Sequence, residues 1–139
     1  MENKLIKTDD ELNATFSLTV EGDTIRIVFL EDFTDDELNY RIAVLIAEGL
    51  ERIFAQDKEK KYKVIVDVTP LTAEIGYLTQ KTREIYARMM DHAQVIKTAI
   101  FGMNKFYEIG VNLMISLMRG KGKTRTFARE NVALEWLKI

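Results

Sequence analysis

Residues 64–68 read Val-Ile-Val-Asp-Val, and this stretch decides how the rest of the chain is interpreted. Most of these residues are β-branched, and apolar side chains fall on both faces of an extended segment. Strands that are apolar on both faces are typical of parallel sheets covered by helices on both sides. Thr69-Pro70 ends the run, because proline cannot donate a hydrogen bond to a strand ladder. The stretch therefore predicts a central parallel strand.

The segments before this strand predict a β-hairpin followed by a helix. Residues 14–20 and 24–30 alternate in polarity and are rich in β-formers, and Glu21-Gly22-Asp23 between them is typical of a hairpin loop. Thr34 and Glu37 have the spacing of a capping box at a helix N-terminus. Apolar residues then recur at helical spacing up to the charged run at 57–61. The predicted buried positions of this helix are Leu38, Ile42, Leu45, Ile46, Gly49, Ile53 and Phe54.

The segments after the central strand alternate between helix and strand. A second helix is predicted to end near His92, and residues 95–101 form the next strand. Asn104 can cap a third helix, and residues 124–127 form a short strand before a terminal helix. This order predicts an α/β domain whose mixed sheet has helices packed on it, because strand-helix-strand units form parallel crossovers. The predicted buried faces of these helices are Leu78, Thr82, Ile85 and Met89; Phe106, Ile109, Leu113 and Leu117; and Ala133, Leu134, Leu137 and a largely buried Trp136.

Length and composition indicate one domain. The chain has 139 residues, of which 47% are hydrophobic and 30% are charged. We expect residues 1–13 to be a polar N-terminal segment and residues 14–139 to form a single domain. No long apolar stretch suggests a membrane span or a targeting segment, so we expect a cytoplasmic protein. The formal net charge of -2 is too balanced for overall attraction to nucleic acid or to an acidic membrane.

The residue types needed for several kinds of chemistry are absent or isolated. The chain has no cysteine, which excludes disulfides, thiolate metal sites and a cysteine nucleophile. His92 is the only histidine, so we expect no histidine metal site and interpret this residue as a charge at a helix end. Ser17 and Ser116 lack the surroundings of a catalytic serine. We therefore expect no catalytic residue, no cofactor, no bound metal and no enzymatic activity.

A resemblance to a known family rests on three segments. They are residues 64–69, Val-Ile-Val-Asp-Val-Thr; residues 97–102, Lys-Thr-Ala-Ile-Phe-Gly; and Thr126-Phe127 with the later Ala-Leu-Glu-Trp-Leu at 133–137. In this order of elements the chain resembles sulfate-transporter and anti-sigma-factor-antagonist (STAS) domains, particularly the SpoIIAA-like branch of small stand-alone proteins. The resemblance implies a non-enzymatic regulatory module that binds a protein partner through the helix edge of the sheet.

The resemblance also concerns a phosphorylation switch. Phosphorylation-regulated members of that family carry an Asp-Ser-Ser/Thr-Gly motif at the helix after the central strand. Counted without gaps from Asp67, that position here is residues 75–78, Ile-Gly-Tyr-Leu, and Gly76 has no hydroxyl. The usual phosphoserine switch is therefore expected to be absent. The nearby hydroxyl groups that a kinase would have to use instead belong to Thr72, Tyr77 and Thr79.

Two local features suggest where a ligand or partner would bind. The first is the edge that follows two parallel strands, where ligands of open α/β sheets gather, and its residues are Asp67, Thr69, Thr72, Gly102 and Asn104. Asp67 and Thr69 are more typical of a turn, in which they bind backbone amides. The second feature is a basic loop with five cations on a flexible stretch, which suits an anionic or protein partner or is simply solvated. It lacks the aromatic residues of a nucleic-acid groove, so we expect no nucleic-acid partner. The loop residues are Arg119, Lys121, Lys123, Arg125 and Arg129.

Two functions remain open from the sequence. The first is the protein-binding regulatory module that the resemblance implies. The alternative is a carrier or sensor of a small apolar or anionic ligand, held at the sheet edge or in a methionine-lined interior. A homodimer also remains open. The methionines concerned are Met89, Met90, Met103, Met114 and Met118.

Overall fold

A computed structural model describes residues 7–71, 79–116, 118 and 122–138, in which helices and strands alternate after a β-hairpin. In chain order they are α1 (Asp9–Asn13), β1 (Phe16–Glu21), β2 (Thr24–Phe29), α2 (Asp36–Gln56), β3 (Tyr62–Asp67), α3 (Gln80–Met90), β4 (Val95–Phe101), α4 (Lys105–Ser116), β5 (Thr124–Phe127) and α5 (Glu130–Leu137). The α/β class predicted from the sequence is confirmed.

The strands form a mixed sheet in the order β1-β2-β3-β4-β5. β1 and β2 are the predicted antiparallel hairpin, and β2 to β5 run parallel to one another. β3 lies at the centre, with Ile65 paired with Arg26 of β2 on one side and with Ala99 of β4 on the other. The prediction of a central parallel strand is therefore confirmed.

Helices cover both faces of the sheet, because successive residues of a strand point to opposite sides. On one face Ile65 packs with Ala133 and Leu137 of α5. On the other face Val64 packs in a cluster with α2, and Ile100 packs in a cluster with α3 and α4. Any groove between α3 and α4 therefore opens on the side of the sheet opposite α5.

The N-terminus of α2 lies one residue later than the sequence predicts. Asp35 is the N-cap, and its Oδ1 accepts a hydrogen bond from the Leu38 amide (3.0 Å), so the predicted capping box of Thr34 and Glu37 is wrong. A carboxylate at this position also gains from the positive end of the helix dipole, which a threonine hydroxyl does not.

Helix α1 is not among the predicted elements. It begins with a capping box, in which the Thr8 hydroxyl accepts from the Glu11 amide (3.2 Å) and the Glu11 carboxylate accepts from the Thr8 amide (3.1 Å). The backbone bond from Thr8, with that from its side chain, lowers the pKa of the Glu11 carboxyl. Leu12 is fully buried in the core, so α1 packs with the domain that the sequence predicts to begin at residue 14.

The predicted buried face of α4 is wrong. Ile109 is 60% exposed and Leu113 is 64% exposed, whereas Val111 is buried and Met114 is partly buried against the core. The helix is apolar on more than one side, so its periodicity does not determine which side packs on the sheet. The Phe106 side chain and Leu117, the other predicted positions, lie outside the described residues.

Candidate functional site

The sheet edge predicted to bind a ligand is held together by local hydrogen bonds. Asp67 Oδ1 accepts from both the amide (2.9 Å) and the hydroxyl (2.6 Å) of Thr69. Gly102 has a φ of +91° and lies against Thr69, so that a side chain here would collide with the Thr69 hydroxyl. Asn104 directly precedes α4, and Thr72 lies outside the described residues. Asp67 and Thr69 thus stabilise the turn after β3, and a ligand role for this edge stays a prediction.

The described cations of the basic loop lie apart from one another and do not share one contact. Lys123 Nζ donates to the His92 carbonyl at the end of α3 (3.2 Å). Arg125 lies over the Trp136 ring, with its guanidinium carbon 5.7 Å from the centroid, and Arg129 is the exposed residue before α5. One cation therefore holds the end of α3, while another covers α5. The other two members of the loop, Arg119 and Lys121, lie outside the described residues.

Trp136 is partly buried and packs against the core cluster that contains Ala99 and Leu137. Its ring packs against Phe127, with centroids 5.5 Å apart, and the Lys97 ammonium lies 4.7 Å from its centroid. Lys97 Nζ also donates to the Trp136 carbonyl (3.2 Å). Ala133 and Leu137, one turn apart, face the sheet, and each helix step rotates a side chain by about 100°. Trp136 therefore falls on the flank of α5, beneath two cations.

His92 lies just after the end of α3, and its ring is packed. The ring stacks on Phe54, with centroids 4.1 Å apart, and its Nδ1 accepts a hydrogen bond from the Gln94 amide (3.1 Å). His92 therefore joins the end of α3 to the core residue Phe54, and its interaction with the helix dipole stays a prediction.

Thr79 is the described member of the three candidate phosphorylation positions. It is the N-cap of α3, and its hydroxyl accepts from the Thr82 amide (3.4 Å) and lies 3.1 Å from the Thr82 hydroxyl. Thr72 and Tyr77 lie outside the described residues, as does Gly76. The Thr79 hydroxyl thus belongs to the helix cap, and modification at these positions stays a prediction.

A groove of about 1180 Å³ lies between α3 and α4. The wall on the α4 side includes Leu113 and Met114, and the wall on the α3 side is mostly charged. This volume is above the roughly 300–1,000 Å³ of typical small-molecule pockets, so the groove suits a peptide better than a metabolite. Its lining residues are Gln80, Arg83, Glu84, Ala87, Arg88, Asp91, Gly110, Leu113, Met114 and Met118.

A second, apolar cavity of about 90 Å³ lies between the sheet and the same helices. Apart from Tyr86 and Thr98, its described wall is formed by aliphatic, methionine and phenylalanine side chains. Met114 belongs to the wall of the groove as well as to that of the cavity. Wall residues contributed by the sheet are Ile27, Phe29, Val64, Val66, Val95, Thr98 and Ile100.

The sequence contained a partial signal for both features. In α4, residues at 109, 111, 113, 114 and 115 are all apolar, which is more than one helix face can bury. In β4, Thr98 occupies the same face as Ile100, where an apolar residue is usual. The sequence analysis raised a methionine-lined interior but not the groove, because the apolar positions of α4 do not show which of its sides stays exposed.

Among the described residues, no three or more His, Cys, Asp or Glu side chains come close enough together to hold a metal ion. Over the same part of the chain, no helix combines the length and the apolar character needed to cross a membrane. Neither a protein-family model nor a curated protein matches this chain. The groove and the cavity are two described features whose geometry suits a ligand.

Proposed function

We propose that this protein is a non-enzymatic regulatory module that binds an amphipathic helix of a partner protein in the groove between α3 and α4. The observation that carries the proposal is the exposed pair Ile109 and Leu113. Residues four apart lie on the same side of a helix, so the two side chains form one apolar surface. Leu113 itself lines the groove. Single exposed apolar residues are ordinary, but an apolar surface beside a groove is typical of an interaction site.

The two walls of the groove define the chemistry of the partner. The α4 wall offers apolar side chains, and the α3 wall carries Arg83, Arg88, Glu84 and Asp91, two cations and two anions. A helix whose apolar stripe is flanked by charges of both signs complements these walls, as in other helix-in-groove complexes. Because the charges of the wall balance, we expect the affinity for this helix to depend only weakly on salt.

The resemblance to STAS domains supports the same function, and it rests on residues that do not line the groove. It rests on segments of β3, β4, β5 and α5, whereas the groove lies between α3 and α4. The family resemblance implies a partner bound at the helix edge of the sheet, and the groove provides a surface for it. The module acts without the phosphoserine switch of that family, because Gly76 stands at the position concerned.

The test is site-specific photo-crosslinking in the protein's own host. A photo-reactive phenylalanine analogue replaces Leu113 in one variant and Val132, an exposed apolar residue of α5, in the control. We expect the variant at 113 to form an adduct with one helical segment of a partner, identified by mass spectrometry, and the variant at 132 to form none with that segment. A synthetic peptide of the segment is then titrated against the purified protein.

The double variant Ile109→Glu, Leu113→Glu should weaken peptide binding by about 100-fold, because both apolar anchors are lost. Val132→Glu should leave the affinity within about twofold. Circular dichroism checks that all variants keep the fold, as expected for exposed positions. Equal adducts at 113 and 132, or a peptide that binds the double variant normally, would contradict the proposal. An adduct between two copies of this chain would contradict the partner helix and indicate that the groove forms a homodimer interface.

A further inference from the structure

We infer that this protein associates with itself head to tail: an acidic patch at one edge of the sheet binds a basic patch at the opposite edge of a second copy. The inference is separate from the proposed function, because neither patch contains a residue of the groove wall. The observation that carries it is the segregation of charge along the chain. Residues 1–37 contain 11 acidic and 3 basic side chains, whereas residues 97–139 contain 3 acidic and 8 basic side chains.

The fold places these two segments at opposite edges of the sheet. Residues 1–37 include β1 and β2, and residues 97–139 include β5 and most of β4. Neighbouring strands lie about 4.8 Å apart, so β1 and β5 are separated by roughly 19 Å. Exposed charges farther apart than about 8–10 Å are largely screened at physiological ionic strength. The two excess charges therefore do little to neutralise each other within one molecule.

The acidic patch surrounds the start of α2. Asp9 of α1 pairs with Arg41 (3.0 Å), so α1 begins beside the first turns of α2. Leu30, which is 53% exposed, lies between β2 and this region. None of the patch carboxylates forms an ion pair with a described residue. The members of the patch are the exposed residues Asp10, Glu11, Glu31, Asp36 and Glu37.

The basic patch surrounds α5. Lys97 and Arg125 both lie over the Trp136 ring, which brings two positive charges to one side chain. Of the carboxylates of α5, Glu130 is paired with Arg26 (2.6 Å) and Glu135 is exposed. None of the patch cations forms an ion pair with a described carboxylate. The members of the patch are Lys97, Arg125, and the residues at the two ends of α5, Arg129 and Lys138.

A second copy of the chain supplies what each patch lacks. Carboxylates are the natural partners of guanidinium and ammonium groups, and a nucleic acid or an acidic lipid would satisfy the basic patch alone. Leu30 in one patch and the partly buried Trp136 in the other add an apolar contact to the ion pairs. The formal net charge of -2 leaves little overall repulsion between copies.

The position of the patches determines the form of the assembly. The two patches differ and lie at opposite edges, so the contact between copies is heterologous. Each added copy leaves one patch of each kind free, and the assembly grows as an open chain. Exposed ion pairs are individually weak, so this growth is reversible and depends on protein concentration.

Sedimentation velocity of the full-length protein tests the inference. We expect the mean mass to rise with protein concentration at about 0.1 M salt and to return to that of the monomer at about 1 M salt, because the Debye length falls from about 10 Å to about 3 Å. Glu31→Lys, Asp36→Lys makes both edges basic, and Arg125→Glu, Arg129→Glu makes both edges acidic. Each double variant alone should associate at least about tenfold more weakly than the wild type.

The equimolar mixture of these two variants is the decisive sample. Each contact in the mixture joins a basic edge to an acidic edge, so we expect association to return to within about twofold of the wild type. Glu48→Lys, Glu51→Lys is the matched control, because it changes the net charge as Glu31→Lys, Asp36→Lys does, at exposed positions of α2 outside the patch. The control should associate like the wild type, and circular dichroism checks that all variants keep the fold.

Any of three results would overturn the inference: a monomer at every salt concentration, a mixture that stays monomeric, or a control that loses association as strongly as Glu31→Lys, Asp36→Lys. A fluorescent single-stranded oligonucleotide is the second probe. If a monomeric wild type binds it and Arg125→Glu, Arg129→Glu does not, the basic patch serves nucleic acid instead. Ile109→Glu, Leu113→Glu should still self-associate, since it changes only the surface beside the groove; a loss of association in that variant would place the contact at the groove.

Discussion

Three buried threonines of this domain differ in what their hydroxyls contact. Thr98 and Thr124 lie side by side on β4 and β5, and neither hydroxyl has a partner among the described residues. Thr82 of α3 is just as buried, but its hydroxyl lies 3.1 Å from that of Thr79. A hydrogen bond contributes little when it is made, whereas a buried group left without one opposes folding by a larger amount. The same chemical change at these positions should therefore have opposite effects.

We predict that Thr98→Val and Thr124→Val each raise the free energy of unfolding by about 1 kcal/mol, because each removes an unpaired buried hydroxyl at constant volume. Thr82→Val should lower it by about 1 kcal/mol, since a hydrogen bond to Thr79 is lost. Urea denaturation of the three variants measures the differences. A loss of stability in Thr98→Val would mean that this hydroxyl is paired in solution.

At the level of elements, the strands could be predicted and the helix faces only in part. β4 and β5 have the bounds that the sequence predicts, because glycines interrupt the chain directly after β4 and shortly before β5. α4 was assigned the wrong face, since Ile109 and Val111 are equally apolar and only tertiary packing distinguishes them. α1 has five residues, too few for a periodic signal, although the spacing of Thr8 and Glu11 is that of a capping box.

Helix α5 allows a direct comparison between a core residue and a flanking residue. Leu137→Ala should lower the free energy of unfolding by about 3 kcal/mol, because this side chain is almost fully buried against the sheet. Trp136→Ala should cost less, about 2 kcal/mol, since the ring is only partly buried and loses its contacts with Phe127, Lys97 and Arg125. Thermal and urea unfolding measure both variants. A larger loss for Trp136→Ala would show that the indole belongs to the core.

For the whole molecule, the candidate site depends on contacts that no local pattern contains. The predicted sheet edge at Asp67 could be located from the sequence, because strand ends and turn residues are local features. The groove and the cavity arise where α3 and α4 meet the sheet, and residues far apart in the chain line both. Met114 contributes to the walls of both, so the groove and the cavity share one side chain.

This shared wall leads to a prediction about Met114. Met114→Ala should weaken binding of the partner peptide by about tenfold, because it removes an apolar contact from the groove. It should also lower the free energy of unfolding by about 2 kcal/mol, because it enlarges the apolar cavity inside the domain. The double change Ile109→Glu, Leu113→Glu should remove peptide binding without this loss of stability, because both side chains are exposed and neither is part of the described cavity wall. Calorimetry with the peptide and urea denaturation measure the two effects in one set of proteins. If Met114→Ala changes only one of them, the groove and the cavity do not share this side chain in solution.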